Sequence, residues 1–239
     1  WVSQPLIDAA IAPLRDRVQL RSTDTVTAWA PDQIAEQLAS ADGAIITLNE
    51  RIGAAQVADA AQLQVIANVG VGYNNLDVDA LSAAGILASN TPDVLTETTA
   101  DLGFALLMAT ARRITESERW LREGQWGQWS FQTMLGADIH GSTLGILGMG
   151  RIGQGIARRG AHGFGMKVLY HNRSRLPADT EAALGATYVD LDTLLAQSDH
   201  LVTVLPYTPA SHHIIDAAAL AKMKPPATLV NIARGGLVD

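Results

Sequence analysis

The sequence predicts an α/β protein of two doubly wound, parallel-sheet domains, on three observations. Short apolar runs alternate with amphipathic helical segments along the whole chain, a spacing that gives parallel strands covered by helices. A glycine-rich turn at Gly148–Gly153 follows one such run and opens a helix. A long apolar segment near the middle separates two βα blocks, so the expected division is 1–91 and 92–239, with Pro92 at the boundary.

Composition narrows the class. The chain has 239 residues, 48% hydrophobic and 17% charged, enough to build a substantial core. A net charge of −7 argues against nucleic acid as a partner. Cysteine is absent, which removes disulfides and thiol chemistry and fits a cytoplasmic protein. The longest apolar run, Leu102–Ala111, is too short to span a bilayer, so no membrane partner is expected. No His or carboxylate spacing matches a metal site.

In the first block, Pro5–Leu14 reads as helix, Val18–Leu20 as a short strand, and Asp32–Ser40 as an amphipathic helix behind Pro31. Gly43–Thr47 and Gln64–Val69 read as strands around a helix at Ala54–Ala61; Asp77–Ala84 is helical and Ile86–Ser89 a strand. A single long helix is expected from Leu95 to Arg122, with Leu102, Ala105, Leu106, Ala109 and Ile114 along one apolar face that continues to Trp120 and Leu121. It would brace the domains or form a dimer surface. Trp126 and Trp129 after it read as packing anchors.

In the second block, strands are expected at Thr143–Leu147, Lys167–Tyr170, Thr187–Tyr188, His200–Leu205 and Thr228–Ile232, with helices at Ile152–Ala161, Asp179–Leu184, Asp192–Gln197 and Asp216–Met223. The turn after the first of these strands carries G-x-G-x-x-G on Gly148, Gly150 and Gly153. The first glycine permits the tight turn, the second lets a pyrophosphate approach the backbone, and the third lets helix pack on strand. The helix start adds N–H groups and a positive dipole end, so this is a dinucleotide cradle. In the first block, Val69-Gly-Val-Gly-Tyr-Asn-Asn75 ends a strand with two glycines and can hold a small carboxylate on backbone N–H groups, or be a plain βα turn.

Together with Leu205-Pro-Tyr-Thr-Pro209 and Asn231-Ile-Ala-Arg-Gly-Gly-Leu-Val-Asp239, these segments resemble the D-isomer-specific 2-hydroxyacid dehydrogenases, in the order that family has them. Glyoxylate/hydroxypyruvate and 2-ketogluconate reductases look most similar. The resemblance implies a flavodoxin-like substrate domain plus a Rossmann-like NAD(P)-binding domain around a cleft. It implies that Val71 and Gly72 offer N–H groups to the substrate carboxylate, with Leu48 and Asn49 bordering the substrate. It places Gly148, Met149, Gly150, Arg151, Ile152 and Gly153 along the pyrophosphate, Leu205 and Pro206 by the adenosine, and Thr99, Ile232, Ala233 and Arg234 towards the nicotinamide and substrate. A homodimer is the expected assembly. The family's proton-donating His and its partner Glu lie downstream of the Arg segment; the chain stops at Asp239, so it reads as part of a longer enzyme.

Two further readings come from the residues. An NAD site expects an acid about 20 residues beyond the glycine motif, to accept the ribose hydroxyls. Here Tyr170-His-Asn-Arg-Ser-Arg175 stands there, with no Asp or Glu between Gly163 and Ala178. Asn172, Arg173, Ser174 and Arg175 would instead meet a 2′-phosphate, so NADP(H) is the expected cofactor and NAD(H) the second. Arg234, just past a strand end, has the planar fork to hold carboxylate and carbonyl oxygens together, and is the candidate catalytic residue. The six histidines read as structural or solvated. The expected activity is reduction of glyoxylate, hydroxypyruvate or 2-ketogluconate to the D-2-hydroxy acid. The alternatives are a formate, phosphite or 3-phosphoglycerate dehydrogenase, or a dinucleotide-sensing protein like the C-terminal-binding corepressors.

Overall fold

The computed structural model describes all residues, 1–239, and the chain divides into two compact units, Trp1–Val94 and Leu95–Asp239. The first unit contains α1 (Asp8–Arg15), α2 (Pro31–Ala39), β1 (Gly43–Ile46), α3 (Ala54–Val57), β2 (Val65–Asn68), α4 (Val78–Ala83) and β3 (Leu87–Ser89). Its strands are parallel in the order β1-β2-β3, and single bridges add Val2 beside Ile45 and Ser22 beside Val2. Read across the sheet, the order is Ser22, Val2, β1, β2, β3, the 2-1-3-4-5 arrangement of flavodoxin-like sheets.

The strand expected at Val18–Leu20 does not form. Pairing is delayed to Arg21–Ser22, where the Val2 N–H donates to the Arg21 carbonyl at 2.8 Å. The next residues turn at once, because the Thr23 hydroxyl donates to the Thr25 carbonyl at 3.0 Å and competes with any ladder. The helix expected at Ala54–Ala61 closes after Val57. Ile34, Leu38, Ile46, Ile52, Ile66 and Leu81 fill the core of this unit.

The second unit contains α5 (Thr96–Ala111), α6 (Ile114–Arg122), β4 (Thr143–Leu147), α7 (Arg151–Arg158), β5 (Lys167–His171), α8 (Ala178–Leu184), β6 (Ala186–Tyr188), α9 (Leu191–Gln197), β7 (His200–Thr203), α10 (Ala217–Lys222) and β8 (Thr228–Asn231). Its five parallel strands run β6-β5-β4-β7-β8, the 3-2-1-4-5 arrangement of a Rossmann-like sheet. Strand periodicity sorts the core onto two faces. Leu144, Ile146, Val168, Tyr170, Val202 and Val230 pack with Phe104, Leu107 and Ile156 on one side. Leu147, Leu169 and Leu201 pack with Leu194, Leu195 and Ala219 on the other.

The single long helix expected from Leu95 to Arg122 is two helices. Arg113 takes a left-handed conformation, φ 53°, which ends α5. Ala137 occupies the freed helix end by donating to the Ala111 carbonyl at 2.8 Å, and Gly136 leaves room for that approach. The packed face of α5 is also not the expected one. Ala100, Gly103, Phe104, Leu107 and Ala111 are buried, whereas Leu102 and Leu106 are exposed. Both faces are apolar and both carry alanines; the buried one has Gly103, where a Cβ would lie 2.9 Å from Ile232 Cδ1 and 3.0 Å from Ile156 Cδ1. Trp126 and Trp129 are exposed; they stack edge-on against Trp120 and Phe131 and anchor no core. No helix is long and apolar enough to cross a membrane.

Candidate active site

In open α/β sheets ligands bind beyond the strand C-termini where the strand order reverses. In the second unit that point lies between β4 and β7. Register aligns Leu147, His171, Thr203 and Asn231 in one row across β4, β5, β7 and β8. The residues just past this row are Gly148, Asn172, Val204 and Ile232. The expected dinucleotide residues of four strands therefore converge on one edge.

Each glycine of the turn meets a different need. Gly148 has φ +106°, and a Cβ there would stand 2.6 Å from the Leu205 nitrogen. A Cβ on Gly153 would stand 2.3 Å from the Gly148 carbonyl oxygen. Gly150 has nothing within 4 Å of its Cβ position, so its bare backbone faces open space at the N-cap of α7. No side chain caps that helix start, where Arg151 and Ile152 form the first turn. An open backbone before an uncapped helix is a shape a pyrophosphate fits. Buried Met149 fixes the turn to β5, its N–H donating to Asn172 Oδ1 at 2.6 Å.

The loop after β5 separates two arginines that the sequence treats alike. Arg173 and Ser174 are exposed at its tip. Arg175 is engaged: Nε donates to Glu181 Oε1 at 2.9 Å and Nη2 to Glu181 Oε2 at 2.7 Å. The Tyr170 hydroxyl donates to the same carboxylate at 2.6 Å and accepts the Leu176 N–H at 2.8 Å. Bonds from Arg175 and then Tyr170 hold the Glu181 carboxyl below its ordinary range. Burial, and then the bond to Glu181, push the Tyr170 phenol up to about 12.

Past β8, Asn231 organises the turn that carries Arg234. Its Oδ1 accepts from Thr203 Oγ1 and from the Ala233 N–H, both at 3.0 Å, while Nδ2 donates to the Arg234 carbonyl at 2.9 Å. Arg234 is half-buried, as are Ile232 and Ala233. Gly103 allows α5 to approach this turn, since a Cβ there would lie 2.9 Å from Ile232 Cδ1. Thr99 sits one turn earlier on α5, half-buried. Leu205 is half-buried and Pro206 exposed, the latter's carbonyl accepting from Ser211 Oγ at 3.1 Å.

In the first unit, Val71 and Gly72 are half-buried at the end of β2. Asn90 Nδ2 donates to the Val71 carbonyl at 2.8 Å and Asn68 Nδ2 to the Gly72 carbonyl at 2.9 Å. Their own N–H groups meet no protein acceptor. Leu48 and Asn49 form the exposed tip of a turn whose ends, Thr47 and Glu50, are joined by the Thr47 N–H donating to Glu50 Oε2 at 2.8 Å.

Asn68, Asn90, Glu181 and Asn231, none of them a predicted site residue, hold these segments in place. Asn231 carries a local signal, an Asn three residues before the arginine whose carbonyl it binds. Glu181 carries none, because its partners meet it only once α8 packs. Of the histidines, His200 is buried between Thr228 Oγ1, 2.8 Å from Nδ1, and the Asp138 carbonyl, 3.0 Å from Nε2.

Known proteins resemble this chain in sequence and in fold. Residues 104–239 match the model of the D-isomer specific 2-hydroxyacid dehydrogenase, NAD binding domain. The chain is 42% identical to the glyoxylate reductase of Thermococcus onnurineus over 243 aligned residues, covering 100% of this chain and 72% of that protein. The chain belongs to the D-isomer specific 2-hydroxyacid dehydrogenase family. Another member, glyoxylate/hydroxypyruvate reductase B of Shigella boydii, is 40% identical over 234 residues, 98% of this chain and 72% of that one. The TT0316 protein from Thermus thermophilus superposes with a TM-score of 0.90 at 38% identity, over 100% of this chain and 74% of its own.

As a 2-hydroxyacid dehydrogenase, the protein is an NAD(P)-dependent oxidoreductase that reduces a 2-keto acid. The nicotinamide dinucleotide supplies the hydride. What the chain itself offers is an open glycine backbone at Gly150, an uncapped helix start, and a loop with an exposed cation at Arg173.

Proposed function

We propose that the protein is an NADP(H)-preferring reductase of a small 2-keto acid, with glyoxylate, hydroxypyruvate and 2-ketogluconate as its substrate class. The observation that carries the cofactor choice is the loop Asn172–Arg175. It places an exposed arginine and a serine where an NAD-specific sheet has a carboxylate. Asn172 is already engaged with the Met149 N–H, so it shapes the turn, and Arg173 with Ser174 meets the 2′-phosphate.

On this reading the first unit is the substrate domain, with the Val71 and Gly72 N–H groups on the carboxylate and Leu48–Asn49 bordering the acid. The second unit is the dinucleotide domain. Its Gly148–Gly153 turn takes the pyrophosphate, Leu205–Pro206 the adenosine side, and Thr99, Ile232 and Ala233 the nicotinamide side. Arg234 polarises the carbonyl and helps to hold the carboxylate, for which its permanent charge and planar fork suit it. The exposed apolar residues Leu102, Leu106, Ile114 and Leu121 support a homodimer.

The test is a reduction screen of the three keto acids by the full-length enzyme with NADPH and with NADH. At least tenfold higher kcat/KM with NADPH is expected, together with a shift towards NADH in the double variant Asn172→Asp, Arg173→Ala. Equal use of both cofactors by wild type and variant would overturn the preference, and no turnover of any of the three acids would overturn the substrate class.

A further inference from the structure

The N–H groups of Val71 and Gly72 gain their direction from behind. In a planar trans peptide, the carbonyl of one residue and the N–H of the next point in opposite directions, so an anchored carbonyl aims the following N–H. Three consecutive peptide planes here are anchored in this way. The Gly70 carbonyl accepts from the Thr91 N–H at 3.0 Å, the Val71 carbonyl from Asn90 Nδ2 at 2.8 Å, and the Gly72 carbonyl from Asn68 Nδ2 at 2.9 Å. The N–H groups that follow, on Val71, Gly72 and Tyr73, meet no protein acceptor.

We propose that the carboxylate nest has three donors, the third being the Tyr73 N–H, and that Asn90 and Asn68 are the positioning residues that aim the second and third. This rests on the reading that the Val71–Gly72 turn receives the substrate carboxylate.

Asn68 is itself held by a buried network. Its Oδ1 accepts from Asn75 Nδ2 at 3.1 Å, and the same Asn75 group donates to the carbonyls of Thr47 at 3.1 Å and Glu50 at 3.0 Å. Three oxygens around one NH2 group fix which way the Asn75 amide faces, and they leave its buried Oδ1 without a donor. Glu50, 1% exposed, closes the network from below. Its carboxylate accepts from Gln4 Nε2 at 2.6 Å, Ser3 Oγ at 2.8 Å, the Thr47 N–H at 2.8 Å and Thr47 Oγ1 at 2.9 Å. A charge buried this deeply with only neutral donors is costly to hold unless its geometry is fully satisfied. Two of these donors, the Thr47 N–H and Oγ1, tie the ends of the Leu48–Asn49 turn. Leu48 reaches the nest directly, its Cδ2 lying 2.8 Å from where a Cβ on Gly70 would stand. The nest and the substrate-bordering turn thus share one buried frame.

The test uses isosteric changes that replace an amide donor by an oxygen facing the anchored carbonyl. In the full-length enzyme, Asn90→Asp is expected to raise KM for the keto acid at least tenfold, with kcat within about threefold and the NADPH dissociation constant unchanged. Asn90→Ala, which removes the donor without adding repulsion, should raise KM by less, and it serves if the aspartate variant folds poorly. A parallel titration follows the backbone amide resonances of Val71, Gly72 and Tyr73 as oxalate is added to the NADPH-bound enzyme. All three should move in the wild type, and Gly72 should lose its response in Asn90→Asp. If none of the three moves, the carboxylate reading of the turn falls. If Val71 and Gly72 move but Tyr73 does not, or KM in folded Asn90→Asp stays within twofold of wild type, the three-donor nest and its positioning residues are wrong while that reading stands.

Discussion

Arg175 and Glu181 meet through two parallel hydrogen bonds, 2.9 and 2.7 Å, with the arginine exposed and the carboxylate buried. This pairing fixes the far end of the loop after β5 and leaves Arg173 as the exposed cation at its tip.

The two arginines should therefore behave differently. Arg173→Ala is expected to weaken NADPH binding by about tenfold or more while leaving NADH nearly unchanged, the loss of one charge-assisted phosphate bond of roughly 1.5–3 kcal/mol. Arg175→Ala should cost NADPH affinity less and lower the melting temperature more. Fluorescence titration of both variants with both cofactors decides it; equal losses would mean that Arg175 leaves Glu181 to reach the phosphate.

The glycine turn separates folding from binding. Gly153→Ala forces a methyl against the Gly148 carbonyl oxygen and should lower the melting temperature sharply. Gly150→Ala meets no protein atom within 4 Å and should fold normally. Its methyl occupies the open face of the cradle, so dinucleotide affinity should still fall by about tenfold, ~1.4 kcal/mol. Thermal denaturation beside cofactor titration would show the split.

Two buried groups should limit stability at opposite ends of the pH scale. Burial pushes the Glu50 carboxyl up, but the bonds from Gln4, Thr47 and Ser3 outweigh it and hold the group below its ordinary 4.5. Its contribution is complete above pH 4.5 and is lost as pH falls through the lower folded value. Tyr170, raised from 10.0 to about 12, contributes fully below pH 10.0 and loses that contribution as pH rises towards 12. Urea midpoints across pH should show a shallower acid limb in Glu50→Gln and a shallower alkaline limb in Tyr170→Phe. A limb that keeps its slope in the matching variant assigns it to other groups.

The proposed dimer has its own measurement. Leu106→Arg combined with Leu121→Arg puts two charges on exposed apolar positions and should not disturb the core. Sedimentation equilibrium should then report a monomer with unchanged far-ultraviolet circular dichroism; a persistent dimer would place the interface elsewhere.

How legible these features are in the sequence follows from what carries each one. The glycine turn and the alternation of β4 with β5 depend on near neighbours in sequence, and Gly148, Gly150 and Gly153 stand where their spacing puts them. The break at Arg113 depends on Gly136 and Ala137 arriving from a distant loop, and no local pattern announces it. The buried face of α5 escapes a periodicity argument because both faces are apolar, and the close approach at Gly103 is to Ile156 and Ile232, which are distant in sequence. Asn68, Asn75 and Glu50 read as ordinary loop-flanking polar residues until β1 and β2 lie side by side.

The row formed by Leu147, His171, Thr203 and Asn231 divides labour along four of the five strands of the second unit. Below it, the apolar side chains are committed to one of two layers, and a one-residue slip would turn a strand inside out. Just above it, Gly148, Val204 and Ile232 still donate N–H groups to the carbonyls of His171, Leu147 and Thr203, and only beyond them does the chain leave the ladder. Exchanges at exposed positions beyond that line, such as Arg173 and Ser174, can retune the cofactor without disturbing the scaffold, so diversification of such an enzyme is expected to concentrate there.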